Sequence, residues 1–150
     1  MQIKDINKLY GGKLRVRACG VLVQNKKILL INHKIASSNL WIPPGGGVEI
    51  GESIQQTVQR EFKEETSMEV AVEEFIQLTE YISPPIHAIE LFYLVKHISG
   101  SAILGTDPEN AAKDQLIEDI NWFDLYHLDK IPNSEKHKIL LSPEINSLLI

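Results

Sequence analysis

The chain has 150 residues, 43% of them hydrophobic, which is enough for one sizeable core, so we expect a single domain over residues 1–150. Its formal net charge of −5 argues against a general nucleic-acid binder, because phosphate backbones are usually met by a basic surface. No apolar run reaches 18 residues, and the polar N-terminus lacks the apolar region of a secretory signal. We therefore expect a cytoplasmic protein without membrane contact.

The first regular segment is a β-hairpin, predicted from two apolar runs around a polar turn. The runs are Leu14 to Val23 and Ile28 to Ile31. Cys19 lies in the first run, has no second cysteine to pair with, and is expected to be a buried small apolar side chain. Arg15 and Arg17 alternate along the same run, where they either reach phosphate groups or lie on a solvated strand face.

A glycine-rich loop and a helix follow the hairpin. The stretch from Trp41 to Gly47 contains two prolines and three glycines, which end a strand and let the backbone approach a ligand closely. Ser53 and Gln56 have the spacing of a capping box and predict a helix from about Ser53 to Thr66. Its apolar residues recur every fourth position and form one buried stripe, Ile54, Val58 and Phe62.

The second half of the chain alternates between strand and helical patterns. Strands are predicted over Met68 to Val72, Phe75 to Ile82, Ile89 to Ile98 and Gln115 to Phe123, with a polar loop from Gly100 to Lys113. The third of these is nearly continuous in apolar residues, which is typical of a central strand. Helical segments are predicted over Asp124 to Leu128 and over Ser134 to Ile150, the latter broken at Pro143. Strands and helices that intermix in this way predict an α/β fold with helices packed on a sheet.

Three carboxylates on the predicted helix form a candidate metal site. Glu61, Glu64 and Glu65 stand at positions i, i+3 and i+4, so that they project from one sector of the helix. Carboxylate oxygens are the ligands that Mg²⁺ and Mn²⁺ prefer, and bound magnesium usually also takes phosphate oxygens of the substrate. Arg60, one helical turn before Glu64, is placed to orient that carboxylate. The alternative is a solvated acidic helix face.

The glycine loop and the helix together resemble the Nudix box. In that family pattern, a glycine is followed by five residues and a glutamate, then by seven residues and Arg-Glu, an apolar residue, any residue, Glu-Glu, any residue, a glycine and an apolar residue. The 23 residues from Gly46 to Met68 match it at every charged position, including Glu52. Ser67 replaces the second glycine, at a position where we expect a left-handed helix cap.

The resemblance implies a Nudix fold, with a mixed β-sheet between helices in an α/β/α arrangement. It implies hydrolysis of a nucleoside diphosphate linked to another group by metal-activated water, with Mg²⁺ or Mn²⁺ as cofactor. It also assigns roles: metal ligands at Glu61, Glu64, Glu65 and the carbonyl of Gly45; support at Gly46 and Glu52; orientation of the glutamates by Arg60; and a general base at Glu64 or, outside the box, at Glu118.

The substrate is left open among a nucleotide sugar, ADP-ribose and a nucleoside triphosphate. Pro84 lies at a spacing similar to one that marks ADP-ribose pyrophosphatases in the family, although a strand-ending turn is the simpler interpretation. Tyr81 and Trp41 are candidates for stacking on a base or for packing. His33 and His87 have no partner at metal-ligand spacing and are left unassigned.

Other functions remain open beside this hydrolase. They are a non-catalytic nucleotide-sensing module, an RNA 5′-end pyrophosphohydrolase, which the acidic charge disfavours, and, least favoured, an isomerase of the same fold. Many relatives form dimers, and a homodimer that uses the apolar C-terminus is a further expectation.

Overall fold

Two four-stranded sheets form the centre of the computed structural model. The structure describes residues 12–34, 38–102 and 117–149, except for the side chains of residues 117, 118 and 149. The first sheet has the order β5-β1-β7-β6 and consists of β1 (Leu14–Val21), β5 (Gly45–Gly47), β6 (Glu69–Ser83) and β7 (Ile86–Ser99). In the second, β3 (Lys27–His33) pairs with β2 (Val23–Gln24), β4 (Trp41–Ile42) and β8 (Ile117–Asp124). β1 runs parallel to β7 and antiparallel to β5, so the first sheet is mixed.

The predicted hairpin differs from the structure in one respect, because its first strand is divided between the two sheets. β1 ends at Val21 and belongs to the first sheet, whereas β2 begins at Val23 and forms the hairpin with β3. Asn25 and Lys26 turn the hairpin with φ values of 52° and 62°. Positive φ at both central residues matches the twist of the flanking strands in a two-residue turn.

The strands after the helix follow the prediction with one correction. The segments predicted separately before and after Val72 are one strand, β6, whose pairing with β7 is irregular between Val72 and Phe75. β7 lies between β1 and β6, which confirms the central position expected for it. Residues 84 and 85 form the turn between β6 and β7, so Pro84 ends a strand as the simpler interpretation predicted. The predicted polar loop lies outside the described residues from position 103 onward.

One long helix and a series of short helical turns pack on the sheets. Helix α1 spans Ile54–Thr66, as predicted. The C-terminal part forms 3₁₀ turns over Leu125–Lys130, Asn133–Glu135, Lys138–Leu141 and Ser147–Leu149, with helix α2 over Pro143–Asn146. The prediction of one helix broken at Pro143 was therefore wrong, since Pro143 begins a helix, where its missing N–H costs nothing. No helix in the described part of the chain has the length and apolarity of a membrane span.

The core has two parts because successive residues of a strand point to opposite faces. Ala18 and Leu29 face the α1 side, where they pack with Val58, Phe62, Met68, Val70 and Val95. Cys19 and Leu30 face the opposite side, where they pack with Phe92, Leu125, Leu128, Ile139, Leu140 and Ile145. α1 and the C-terminal turns thus enclose the strands from both sides, which confirms the expected α/β/α arrangement.

Candidate active site

Helix α1 is fixed at both ends by local hydrogen bonds. The Ser53 hydroxyl accepts from the backbone N–H of Gln56 at 3.1 Å, and the Gln56 side chain accepts from the backbone N–H of Ser53 at 2.9 Å. This confirms the predicted capping box. At the other end, Ser67 has φ 64° and ψ 13°, which is the left-handed cap expected at the position of the missing glycine. The helix that carries the glutamates therefore has well-defined bounds.

Arg60 is the centre of an ion-pair network on the α1 face next to the glycine-rich strand β5. It donates to both oxygens of Glu52, at 2.7 and 3.0 Å, which is the bidentate geometry that a guanidinium favours. Its Nη1 donates to Glu61 at 2.9 Å and to Glu64 at 3.2 Å, and its Nη2 donates to the carbonyl of Gly47 at 3.1 Å. Arg60 thus lies where an orienting role for the glutamates requires it.

Glu52 joins the loop to the helix. Its carboxylate also accepts from the hydroxyl of Thr57 at 2.6 Å and from the backbone N–H of Glu49 at 3.3 Å. The hydrogen bond from Arg60 is the main cause that lowers the pKa of Glu52 to about 2. Glu52 is therefore charged at neutral pH and holds the loop before α1 against the helix.

Glu65 contacts the glycine-rich strand at Gly45. The side chain is almost fully buried, at 3% exposure, and its Oε1 accepts the backbone N–H of Gly45 at 2.8 Å. Its Oε2 lies 3.4 Å from Nε2 of His33. Sequence reasoning left His33 unassigned, since the two residues are 32 positions apart and no local pattern joins them.

Glu61 is a buried carboxylate whose acidity is changed by its surroundings. Burial and the nearby charge of Glu65 raise its pKa to about 8, although Arg60 opposes the shift. The absence of a side chain at Gly46 makes room for it, because a Cβ there would overlap the carboxylate of Glu61. Two buried carboxylates that repel each other make a place where a divalent cation is stabilised.

The donor set fits Mg²⁺ or Mn²⁺ in its chemistry, with Glu61, Glu64 and Glu65 around the glycine-rich strand and the carbonyl of Gly45 beside them. In the conformation described, each carboxylate is directed to a protein donor: Glu61 and Glu64 to Arg60, and Glu65 to the N–H of Gly45. Accordingly, among residues 12–34, 38–102 and 117–149, no three His, Cys, Asp or Glu side chains converge closely enough to hold a metal.

The two arginines of β1 have the same strand parity as Cys19, so they point to the sheet face opposite α1, close to β5. Nη1 of Arg17 donates to the buried carboxylate of Glu90 at 3.0 Å, so its side chain is not on a solvated face. The guanidinium of Arg15 lies against Gly47, where a Cβ would be 2.7 Å from Nη2. Burial raises the pKa of the Cys19 thiol to about 12, which supports its interpretation as an unreactive core residue.

Other candidates from the sequence lie elsewhere. Trp41 packs edge to face on Phe123, with ring centroids 4.7 Å apart, and this favours its packing role. Tyr81 is half-buried on β6 opposite Ala88. His87 lies 3.8 Å from the exposed carboxylate of Glu80, on the β6-β7 hairpin. Glu118 belongs to β8, and its side chain is outside the described part of the structure.

A capped helix bearing three glutamates, two of them paired with Arg60, packs on a glycine-rich strand, which is the arrangement that the resemblance predicts. The family model of the NUDIX domain matches residues 13–142 of the chain. The chain belongs to the Nudix family. The Nudix fold is also seen in solved structures that the chain resembles. One is a MutT Nudix hydrolase from Burkholderia pseudomallei, with TM-score 0.65 and 28% identity, covering 86% of this chain and 96% of that one.

A second structure, that of the E. coli ORF135 protein, is similar in fold, with TM-score 0.66 and 20% identity, and covers 91% of this chain and 86% of that one. Two curated relatives are similar in sequence. The ADP-ribose pyrophosphatase of Methanocaldococcus jannaschii is 32% identical over an alignment of 117 residues, and the match covers 75% of this Nudix chain and 63% of the relative. The NAD-capped RNA hydrolase NudC of Pseudomonas aeruginosa is 36% identical over 112 residues, which are 75% of this chain and 37% of the relative. The chain thus spans less than two thirds of the length of either relative.

Proposed function

We propose that this Nudix protein hydrolyses a phosphoanhydride bond in a nucleoside diphosphate linked to another group, and that it needs Mg²⁺ or Mn²⁺. The observation that carries the proposal is the pair of buried carboxylates, Glu61 and Glu65, packed against a glycine-rich strand and joined to the loop by Arg60 and Glu52. Burial of carboxylates that repel each other costs free energy unless a cation or a protonation offsets it. A divalent ion and the phosphate of a substrate suit such a place.

In the proposed site the metal ligands are Glu61, Glu64, Glu65 and the carbonyl of Gly45. When bound, a divalent ion supplies an activated water and neutralises charge on the phosphates. Arg60 and Glu52 keep the glutamates in place. Glu64 is less buried than Glu61 and Glu65, with 30% of its side chain exposed, which suits the proton acceptor for the attacking water. Glu118 remains the second candidate for this base.

ADP-ribose is the substrate we place first. The relative from Methanocaldococcus jannaschii is an ADP-ribose pyrophosphatase, and its similarity covers three quarters of this chain. ADP-ribose has the diphosphate linkage between two sugars that the proposed reaction requires. Nucleotide sugars share that linkage, and nucleoside triphosphates are the third class to be tested.

A capped RNA is the second candidate substrate. It is favoured by the similarity to the NAD-capped RNA hydrolase NudC and to the m7GpppN-mRNA hydrolase NUDT17 of Xenopus laevis, which is 45% identical over 53 residues. The NudC match covers 37% of that protein, and the acidic net charge of this chain disfavours an RNA substrate. We therefore place ADP-ribose and nucleotide sugars before RNA.

The test is phosphate release from a panel of ADP-ribose, nucleotide sugars, nucleoside triphosphates, and NAD-capped or triphosphorylated RNA. Each compound is assayed with Mg²⁺, with Mn²⁺ and with EDTA, and a coupled phosphatase is added where the product is a monoester. We expect metal-dependent turnover of one class and its loss in EDTA. Nucleotide binding without turnover of any compound would instead favour the sensing module.

Amide variants test the assigned residues. Glu64→Gln and Glu65→Gln each keep the size of the side chain and are expected to lower kcat by at least about 100-fold, because a ligand charge is lost. Glu69→Gln is the matched control: Glu69 is exposed, just beyond α1, and pairs with Lys63 at 2.9 Å. We expect it to retain full activity. Wild-type turnover in both Glu64→Gln and Glu65→Gln would refute the metal assignment.

A further inference from the structure

A buried polar network around Glu90 lies next to the glycine-rich strand, and none of its residues is among those assigned to the proposed reaction. At its centre is Glu90 on β7, which is 1% exposed. Its carboxylate accepts from the Thr79 hydroxyl at 3.2 Å, from Nη1 of Arg17 at 3.0 Å and from Nε2 of His137 at 2.7 Å. Three strands and the C-terminal segment thus meet at one carboxylate.

The hydrogen bonds fix the protonation of the network. Nδ1 of His137 accepts the backbone N–H of Ile139 at 2.9 Å, so the ring proton is on Nε2 and is donated to Glu90. Burial by itself would raise the pKa of Glu90, but the hydrogen bond from His137 and the charge of Arg17 lower it below its ordinary value. Glu90 is therefore a charged acceptor whose two oxygens both have donors, and it is not suited to act as a general base.

Arg17 connects the network to the proposed metal site by hydrogen bonds to both Glu90 and Gly45. While its Nη1 is held by Glu90, its Nη2 makes a long hydrogen bond of 3.4 Å to the carbonyl of Gly45. The N–H of Gly45 donates to Glu65 at 2.8 Å. The two polar backbone groups of Gly45 thus contact charged side chains of opposite sign. The backbone of Gly45 is closely packed on β1, because a Cβ at this position would overlap the backbone of Ala18 and Cys19.

We infer that Arg17 and Glu90 are positioning residues, Glu90 by fixing the guanidinium of Arg17 and Arg17 by holding the carbonyl of Gly45 beside Glu65. The inference rests on the proposed function, in which that carbonyl is a metal ligand. A guanidinium is suited to the task because its planar fork offers donors from two separate nitrogens, whereas a lysine offers all its donors from one. Partners of metal ligands typically change metal affinity by about 10-fold to 100-fold when they are replaced.

The test measures Mn²⁺ affinity by electron paramagnetic resonance, with the full chain and without substrate. Arg17→Lys keeps a positive charge opposite Glu90. Glu90→Gln keeps an oxygen acceptor for His137 but leaves the charge of Arg17 without its carboxylate partner. We expect each to weaken Mn²⁺ binding by about 10-fold or more. If either single variant does not fold, the double variant Arg17→Met with Glu90→Gln is measured instead, because it removes both charges together.

Ile139→Val is the matched control for stability. Ile139 lies in the same C-terminal layer and is fully buried, but its side chain is part of the apolar core and not of the polar network. The substitution is expected to lower the melting temperature while leaving Mn²⁺ affinity unchanged. Melting temperatures of all variants are measured alongside, so that a loss of metal binding is compared with the loss of stability.

The outcomes separate the inference from the proposed function. Weaker Mn²⁺ binding in Arg17→Lys and Glu90→Gln, with no change in Ile139→Val, supports the positioning role. Unchanged Mn²⁺ affinity in the first two, or equal weakening in all three, overturns it and leaves the network a purely structural one. A wild type that binds Mn²⁺ but hydrolyses none of the panel refutes the proposed function alone, and a wild type that binds no Mn²⁺ refutes both.

Discussion

The left-handed cap at Ser67 allows a quantitative prediction for Ser67→Gly. Ser67 has φ 64° and ψ 13°, and its backbone N–H donates to the carbonyl of Lys63, which any residue at this position retains. A side chain in the left-handed region costs about 1–2 kcal/mol relative to glycine. Glycine also gives the unfolded chain more conformational freedom, which reduces this gain in stability by about 0.5–1 kcal/mol. The free energy of unfolding is therefore expected to rise by about 0.5–1 kcal/mol.

For a chain of this length the gain corresponds to a rise in melting temperature of about 1–4 °C, measured by thermal unfolding followed by circular dichroism. Ser67→Ala is the control, because it removes the hydroxyl but keeps the Cβ in the left-handed conformation. We expect Ser67→Gly to be more stable than both the wild type and Ser67→Ala. If Ser67→Gly melts no higher than Ser67→Ala, the cost assigned to the left-handed cap is wrong.

Three further predictions concern the site and the core. Glu52→Gln is expected to lower the free energy of unfolding by about 1–3 kcal/mol at pH 7. The pKa of Glu52 is lowered to about 2 by Arg60, so this difference from the wild type should be lost as the pH falls from about 4 to about 2. Denaturant titrations that show the same difference at pH 2.5 as at pH 7 would contradict the prediction. Gly46→Ala should displace the carboxylate of Glu61 and abolish Mn²⁺ binding while the chain still folds, as measured by paramagnetic resonance and circular dichroism; full Mn²⁺ affinity would count against the site. Cys19 should resist thiol alkylation in the folded chain and react only on unfolding, because the thiol is buried and its pKa is raised to about 12, and prompt labelling under native conditions would disprove this.

The residues of the proposed site could be named from the sequence because most of them lie within one helix and the loop before it. Ser53 and Gln56 cap the helix through bonds over three positions, and Arg60 meets Glu64 one turn later. Spacing within a helix fixes which side chains share a face. The roles of Glu61, Glu64, Glu65 and Glu118, together with the single domain, the cytoplasmic location and the homodimer, remain predictions.

Long-range pairing was not readable in the same way. The division of the first predicted strand between two sheets depends on the pairing of β1 with β7, about 70 residues later, and not on its own apolar pattern. The C-terminal apolar spacing suggested one helix, but the segment is held as short turns by the core and by the contact of His137 with Glu90.

The sequence by itself determined the bounds of α1, its caps and the row of glutamates, since each depends on residues a few positions apart. Only the tertiary structure decided that His33 meets Glu65, and that Arg17 and His137 converge on Glu90. The physical reason is that a buried charge is stable only where the fold brings partners to it, and those partners are 32 to 73 positions away along the chain.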